Sequence, residues 1–294
     1  MVKPQIIGIG LNGLVGSRIT EILSDKFEIV PLSTSIGIDI TKPKTLTTIA
    51  DYPNANFVLH LAAKTDVDGC ENEKDLGEQS DAWKINVDGS GHVAEIVRET
   101  GKKVVYISTD FVFDGEKPIE EEYSETDQPN PLNFYAQTKF EGERKIEQSG
   151  ADFAILRIAY PYRSEFENKP DFMRAIKERL EKGLEIKGVT DHVFCPTFID
   201  DVADAIGAII ENDATGIYHS VGSERLSPYE ASIKIADVFG LDKGLISKAS
   251  REEFFMGRAP RPFNLSLSNA RINELGVKMR GFEECLQLIK SELQ

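Results

Sequence analysis

QIIGIGLNGLVGSRITEIL, residues 5–23, decides the fold. Gln5–Ile9 is a short apolar run of strand character, and Leu14–Leu23 is amphipathic with helical spacing. Between them Gly10-Leu11-Asn12-Gly13-Leu14-Val15-Gly16 sets three glycines as GxxGxxG. In such a turn the first glycine permits a tight reversal and the second lets a pyrophosphate approach the backbone. The third lets helix and strand pack closely, with the phosphates at the positive end of the helix. A chain with 23 glycines can produce this spacing by accident, and an ordinary strand–helix turn is the plainer alternative. The placement between a strand and a helix favours cofactor binding.

Working outward, Glu28–Leu32 and the stretches 57–61 (FVLHL), 104–108 (VVYIS) and 153–158 (FAILRI) read as further strands. A helical pattern over 79–100 carries Trp83, Val87, Val93 and Val97 among its apolar positions. Strands alternating with helices predict βαβ units, hence an α/β, Rossmann-like, doubly wound parallel sheet covered on both faces. After Ile158 the regularity loosens, with helices expected over 171–182 and 198–210 and a short strand over 216–221. Ser227-Pro228-Tyr229-Glu230 is a helix start, with Ser as N-cap, Pro at the first position and Glu three residues after the cap. Pro260-Arg261-Pro262 interrupts the pattern before a last pair of helices. The expected organisation is an NAD(P)-binding Rossmann domain over 1–160, rejoined by part of 191–221. A smaller C-terminal substrate-binding lobe would come mainly from 161–190 and 222–294.

The chain of 294 residues is 40% hydrophobic, ample for a continuous core. Its net charge of −15, with no basic block, argues against nucleic acid or an anionic membrane surface as partner. A few well-placed arginines can still bind a diphosphate on an acidic protein. Cys70, Cys195 and Cys285 form no CxxC, and His60, His92, His192 and His219 form no HxxxH or HExxH, so neither a disulfide framework nor a metal site is indicated. Met1-Val2-Lys3-Pro4 runs straight into the first strand without a signal-peptide layout, and no apolar run reaches membrane-span length. A soluble, cytoplasmic protein is expected, and a homodimer stays open as its assembly.

The end of the second strand normally reads the adenosine ribose, an acid there favouring NAD. Here it runs into Pro31-Leu32-Ser33-Thr34-Ser35 with no acid before Asp39, so NADP is allowed beside NAD and is the leaning. Arg18, just inside the first helix, is placed either to help hold a 2′-phosphate or to sit solvated.

Tyr135 and Lys139 stand four residues apart in YAQTK, which puts both side chains on one helix face. A nearby ammonium favours tyrosinate, lowering the phenol pKa toward working pH, and the phenol can then exchange a proton with a substrate oxygen. YxxxK alone is poor evidence. Its context is stronger, because VVYIS ends in Ser108-Thr109-Asp110, and the carboxyl end of a strand is where substrate sits in a doubly wound sheet.

GLNGLVGS (10–17), HLAAKTDVDGCE (60–71), INV (85–87), STDFVFDG (108–115) and PNPLNFYAQTK (129–139) resemble the extended short-chain dehydrogenase/reductase superfamily. So do LRIAYPY (156–162), CPTFIDDVA (195–203) and RPFNLSL (261–267). Within it the chain looks most like the dTDP-4-dehydrorhamnose reductase family. That resemblance implies Thr109, Tyr135 and Lys139 as the catalytic set. Thr109 would hydrogen-bond the substrate carbonyl, Tyr135 would donate its proton, and Lys139 would hold the nicotinamide ribose. It implies Gly10, Asn12, Gly13, Leu14, Val15, Gly16, Asp39 and Ile40 along the cofactor, joined by Leu61, Ala62, Ala63 and Lys64. Thr65, Val67, Asp68, Thr109, Asp110 and Arg261 would meet the nucleotide sugar. The reaction implied is hydride transfer from NAD(P)H to the C4 ketone of a dTDP-4-keto-6-deoxyhexose.

Two alternatives stand beside that reading: a nucleotide-sugar epimerase or dehydratase that recycles its hydride, and a non-catalytic NADP-binding regulatory subunit like the methionine adenosyltransferase beta subunit. For the diphosphate of a nucleotide sugar, Arg258 and Arg261 in RAPRP are the candidates, the prolines stiffening their loop. The plainer expectation is that both are solvated or pair with Glu252 and Glu253, which would leave Arg163 or Arg251 for the diphosphate.

Overall fold

The computed structural model describes residues 3–293, so Met1 and Val2 of the N-terminal reading lie outside the described residues. Six parallel strands form the central sheet: β1 (Gln5–Ile9), β2 (Glu28–Leu32), β3 (Ala55–His60), β4 (Lys103–Thr109), β5 (Asp152–Ile158) and β6 (Gly216–His219). Their spatial order is β6-β5-β4-β3-β1-β2. The chain leaves β1 toward β2 on one side and returns to β3 on the other. The crevice between β1 and β3 is therefore the topological switch point at which such sheets bind ligands.

Alternation along each strand feeds two cores. Ile6, Val105, Ala154 and Leu156 face one side and pack with Ile19 and Leu23 of α1 (Leu14–Leu23). Ile7, Ile9, Val104 and Ile155 face the other and pack with Val93 and Val97 of α2 (Gly89–Glu99) and Ile146 of α3 (Phe134–Gln148). Burial on both faces is why these strands read as nearly unbroken apolar runs. Ile19 is wholly buried, so truncating it to Ala would cost about 2–5 kcal/mol.

The helix expected over 79–100 is interrupted. Asp81–Trp83 and α2 flank a π-type turn over Lys84–Asp88, a device that one-letter periodicity does not reveal. Beyond the sheet, α4 (Phe172–Glu181) and α5 (Ile199–Glu211) lie within a residue or two of expectation, with Asp171 capping α4. Ser227 and Glu230 form the anticipated capping box at the start of α6 (Pro228–Phe239). The final pair of helices is a single turn, Ala270–Asn273, and α7 (Phe282–Glu292). Tyr162, Phe172, Phe194, Ile235, Phe282 and Leu286 join these elements in a core apart from those of the sheet. Cys70, Cys195 and Cys285 are all buried and unpaired. Among the described residues no helix is long and apolar enough to cross a membrane.

Candidate active site

One cavity of about 1740 Å³ opens over the carboxyl ends of the strands, running from the glycine turn to the elements beyond the sheet. At its floor the three glycines do different work. Gly10 has φ +82°, and a Cβ there would collide with the Ala62 backbone. A Cβ on Gly16 would fall 2.6 Å from Leu11 Cα, so this glycine lets α1 press against the turn. Gly13, by contrast, has nothing nearer than 3.9 Å and caps α1 without a side-chain hydrogen bond. Space stands where its side chain would be, and the first-turn N–H groups of a helix point their partial positive charge there. These residues fit a dinucleotide pyrophosphate.

Asn12, Leu14 and Val15 line the same floor, with Leu61, Ala62 and Ala63 at the end of β3 and Asp39 and Ile40 beyond β2. Asp39 accepts hydrogen bonds from Thr41 N and Oγ1 at 3.0 and 2.7 Å and pairs with Lys42 at 3.0 Å. These contacts, led by the Thr41 hydroxyl, hold its carboxyl below the usual range. Ser33 and Thr34 present only hydroxyls to the cavity from the end of β2. Arg18 takes neither of its expected places. Its Nε and Nη2 donate to the two oxygens of Asp200 at 2.7 and 2.6 Å, which fastens α1 to α5 and turns the guanidinium away from the cofactor floor.

Lys64 also departs from expectation. Its ammonium pairs with Glu73, and it stands outside the cavity lining. Its backbone is held instead: Lys64 N donates to Asn86 Oδ1 at 2.8 Å, and Asn86 Nδ2 donates to Lys64 O at 3.0 Å and Thr138 Oγ1 at 2.9 Å. Asn86 sits in the π-type turn, fully buried, and clamps the HLAAK segment to α3. Sequence reasoning registered Asn86 only within a quoted motif, because its partners lie on distant segments.

Thr109, Asp110, Tyr135 and Lys139 converge on the cavity from the end of β4 and the start of α3. Thr109 Oγ1 donates to Asp110 Oδ1 at 3.0 Å. The other oxygen of Asp110 is buried without a partner, and burial pushes its carboxyl up to about 7, against the Thr109 hydrogen bond. Burial likewise pushes the Tyr135 phenol well above its ordinary value, with the Thr109 hydroxyl working the other way. The lowering of that phenol expected from Lys139 is not seen, because burial dominates and the lysine is not among the groups that act on it. Lys139 is itself turned aside, donating to Tyr106 Oη at 2.6 Å and Ile107 O at 2.8 Å, and burial brings it down to about 7, with Glu143 opposing. Tyr106, beneath the site, carries no sequence signal beyond a buried strand position.

Thr65 and Val67 line the cavity mouth, whereas Asp68 stands outside the lining. Asp68 grips both candidate arginines, which do not pair with Glu252 or Glu253. Arg261 Nη2 donates to its Oδ1 at 2.9 Å and Arg258 Nε to its Oδ2 at 2.8 Å. Against a burial that raises it, these two cations hold the Asp68 carboxyl below its usual range. Both arginines still face the cavity. Arg251 donates to Arg261 O at 3.0 Å, Arg163 is bound to Ser17 and Glu21, and neither reserve candidate lines the cavity.

A doubly wound sheet with a glycine turn at its switch point and a Tyr–Lys pair beside a strand-end threonine defines an extended short-chain dehydrogenase/reductase. The chain belongs to the family described as "RmlD substrate binding domain", which matches residues 4–294. It is 30% identical to the dTDP-4-dehydrorhamnose reductase of Aggregatibacter actinomycetemcomitans over 98% of each chain. It is also 32% identical to methionine adenosyltransferase 2 subunit beta of Bos taurus, over 76% of this chain and 66% of that protein. The crystal structure of dTDP-4-dehydrorhamnose reductase from Bacillus anthracis in complex with NADP superposes with a TM-score of 0.89, at 29% identity over 99% of this chain and 100% of that one.

Proposed function

We propose that this protein is an NAD(P)H-dependent reductase of a nucleotide-linked 4-keto-6-deoxy sugar, with NADPH the favoured cofactor. The observation that carries the reading is the single cavity joining the glycine turn to Thr109, Tyr135 and Lys139. Residues 1–160, with part of 191–221, hold the cofactor on this reading, and 161–190 with 222–294 supply most of the substrate lobe. When bound, the reduced nicotinamide supplies the hydride. Thr109 turns its hydroxyl from Asp110 to the substrate carbonyl, and Tyr135, protonated at neutral pH, gives its proton to the carbonyl oxygen, which takes up the C=O π pair as the hydride bonds to the carbon. Lys139 holds the ribose. The Lys64 backbone and Ala62–Ala63 follow the cofactor. Thr65 and Val67 meet the sugar, while Arg261, assisted by Arg258, binds the diphosphate. Asp68 acts through the arginines it holds.

Shallow polar features at the end of β2, with no free carboxylate, support the leaning to NADPH. The similarity to methionine adenosyltransferase 2 subunit beta favours a second reading, a cofactor-binding partner protein without turnover. The work is placed in the cytoplasm, and sedimentation would test for a homodimer. Mixing the protein with NADPH and dTDP-4-keto-6-deoxyglucose separates the readings. Stoichiometric loss of NADPH absorbance supports the reductase, product without net oxidation indicates an epimerase, and tight cofactor binding without product indicates the regulatory protein.

A further inference from the structure

Tyr160 is a bulky residue with φ +41°, in the left-handed region where side chains are strained. Its ring lines the cavity beside Phe111, which in turn lies edge-on to Tyr135. What holds it is His192. The Tyr160 hydroxyl lies 2.9 Å from His192 Nε2, and His192 Nδ1 lies 2.7 Å from Pro262 O. A carbonyl oxygen only accepts, so Nδ1 carries the hydrogen and Nε2 accepts from Tyr160. The imidazole is fully buried and stacked on Phe194, and burial pushes it down to about 4, so it stays neutral through the physiological range. Pro262 directly follows Arg261, whose guanidinium faces the same cavity. One neutral imidazole therefore bridges the aromatic wall near Tyr135 and the loop that carries the arginines.

We propose that His192 is a positioning residue that locks Tyr160 to the Arg261–Pro262 loop, so that seating a sugar at the wall and its diphosphate at the loop are coupled. The inference rests on the proposed reduction of a nucleotide sugar. It gives the strained backbone of Tyr160 a purpose, because in this conformation the hydroxyl lies 2.9 Å from the imidazole. It also explains a buried histidine in a fixed tautomer that touches no reacting atom.

The test compares Tyr160→Phe, His192→Leu and His192→Gln, with KM and kcat for dTDP-4-keto-6-deoxyglucose, the Kd of NADPH and the melting temperature. Tyr160→Phe removes one oxygen, and His192→Leu removes the bridge. Each should raise KM about fivefold, the loss of one buried neutral hydrogen bond, with kcat and cofactor Kd within about twofold. His192→Gln, whose amide can donate to Pro262 O and accept from Tyr160, should restore most of the affinity. Tyr160→Phe with His192→Leu should be no worse than His192→Leu alone, because both cut the same bond. Should His192→Leu fail to fold, Tyr160→Phe decides by itself. Normal wild-type turnover with KM unchanged in Tyr160→Phe, even with a lowered melting temperature, would overturn the inference. So would fully additive effects in the double variant. Wild-type silence on every nucleotide sugar would overturn this inference and the proposed reaction together.

Discussion

The ammonium of Lys139 donates to the phenol oxygen of Tyr106 at 2.6 Å and sits 4.0 Å from the centre of that ring. Tyr106 is wholly buried on β4, so the lysine is anchored from beneath the site. Lys139→Met should therefore do two things: weaken NADPH binding about tenfold, the size of a charge-assisted hydrogen bond, and reduce kcat as well. Fluorescence titration of NADPH checks the first and steady-state kinetics the second. A variant with unaltered cofactor affinity would show that Lys139 does not hold the ribose.

Asp110 is an acid kept from water, with one oxygen lacking any partner. Its pKa in the folded chain is raised to about 7, so the folded state holds a proton that the unfolded state gives up from near pH 4 upward. This term therefore lowers stability as pH rises from about 4 to 7, and the penalty is constant above that window. Asp110→Asn cannot ionise. Its melting temperature relative to wild type should be several degrees better at pH 8 than at pH 4.5. An equal difference at both pH values would mean that Asp110 is solvated and titrates normally.

The Arg261 side chain is largely covered, bonded to Asp68, and its carbonyl accepts from Arg251. Arg261→Ala should raise KM for the nucleotide sugar about tenfold or more, as expected for removing a charge-assisted contact worth about 1.5–3 kcal/mol. NADPH Kd should barely move, since the glycine turn lies at the other end of the cavity. Unchanged KM in steady-state assays would place the diphosphate on Arg258 instead.

The parts legible in the sequence are those whose cause is local. GxxGxxG is read from spacing because Gly10 and Gly16 answer to clashes within the turn and the next strand's end. The sheet strands are read from apolar runs because both faces are buried. YxxxK is read because one helical turn brings both residues to one face. What stayed hidden depends on partners far along the chain. Arg18 looked like a phosphate ligand or a solvated residue until α5 brought Asp200 against it. Lys64 lay in a cofactor segment, yet Glu73 claims its ammonium. The phenol of Tyr135 was expected to be lowered by its neighbour, but the depth of burial, which spacing cannot express, moves it the other way. Asn86 and Tyr106 gained their roles only when the π-type turn and β4 were packed against α3.

The central claim is that a hydride passes to a sugar carbonyl while Tyr135 supplies the proton. Its most direct test is NADPH carrying deuterium at the transferable position, incubated with dTDP-4-keto-6-deoxyglucose and wild-type or Tyr135→Phe protein, with the sugar product read by mass spectrometry and NMR. The account predicts one deuterium at C4 of the product for each NADP formed by the wild type. Tyr135→Phe should bind NADPH with Kd within about twofold yet turn over roughly 10²–10⁴ times more slowly, the range for loss of a general acid. Product without deuterium, or a Tyr135→Phe variant as fast as wild type, would contradict it.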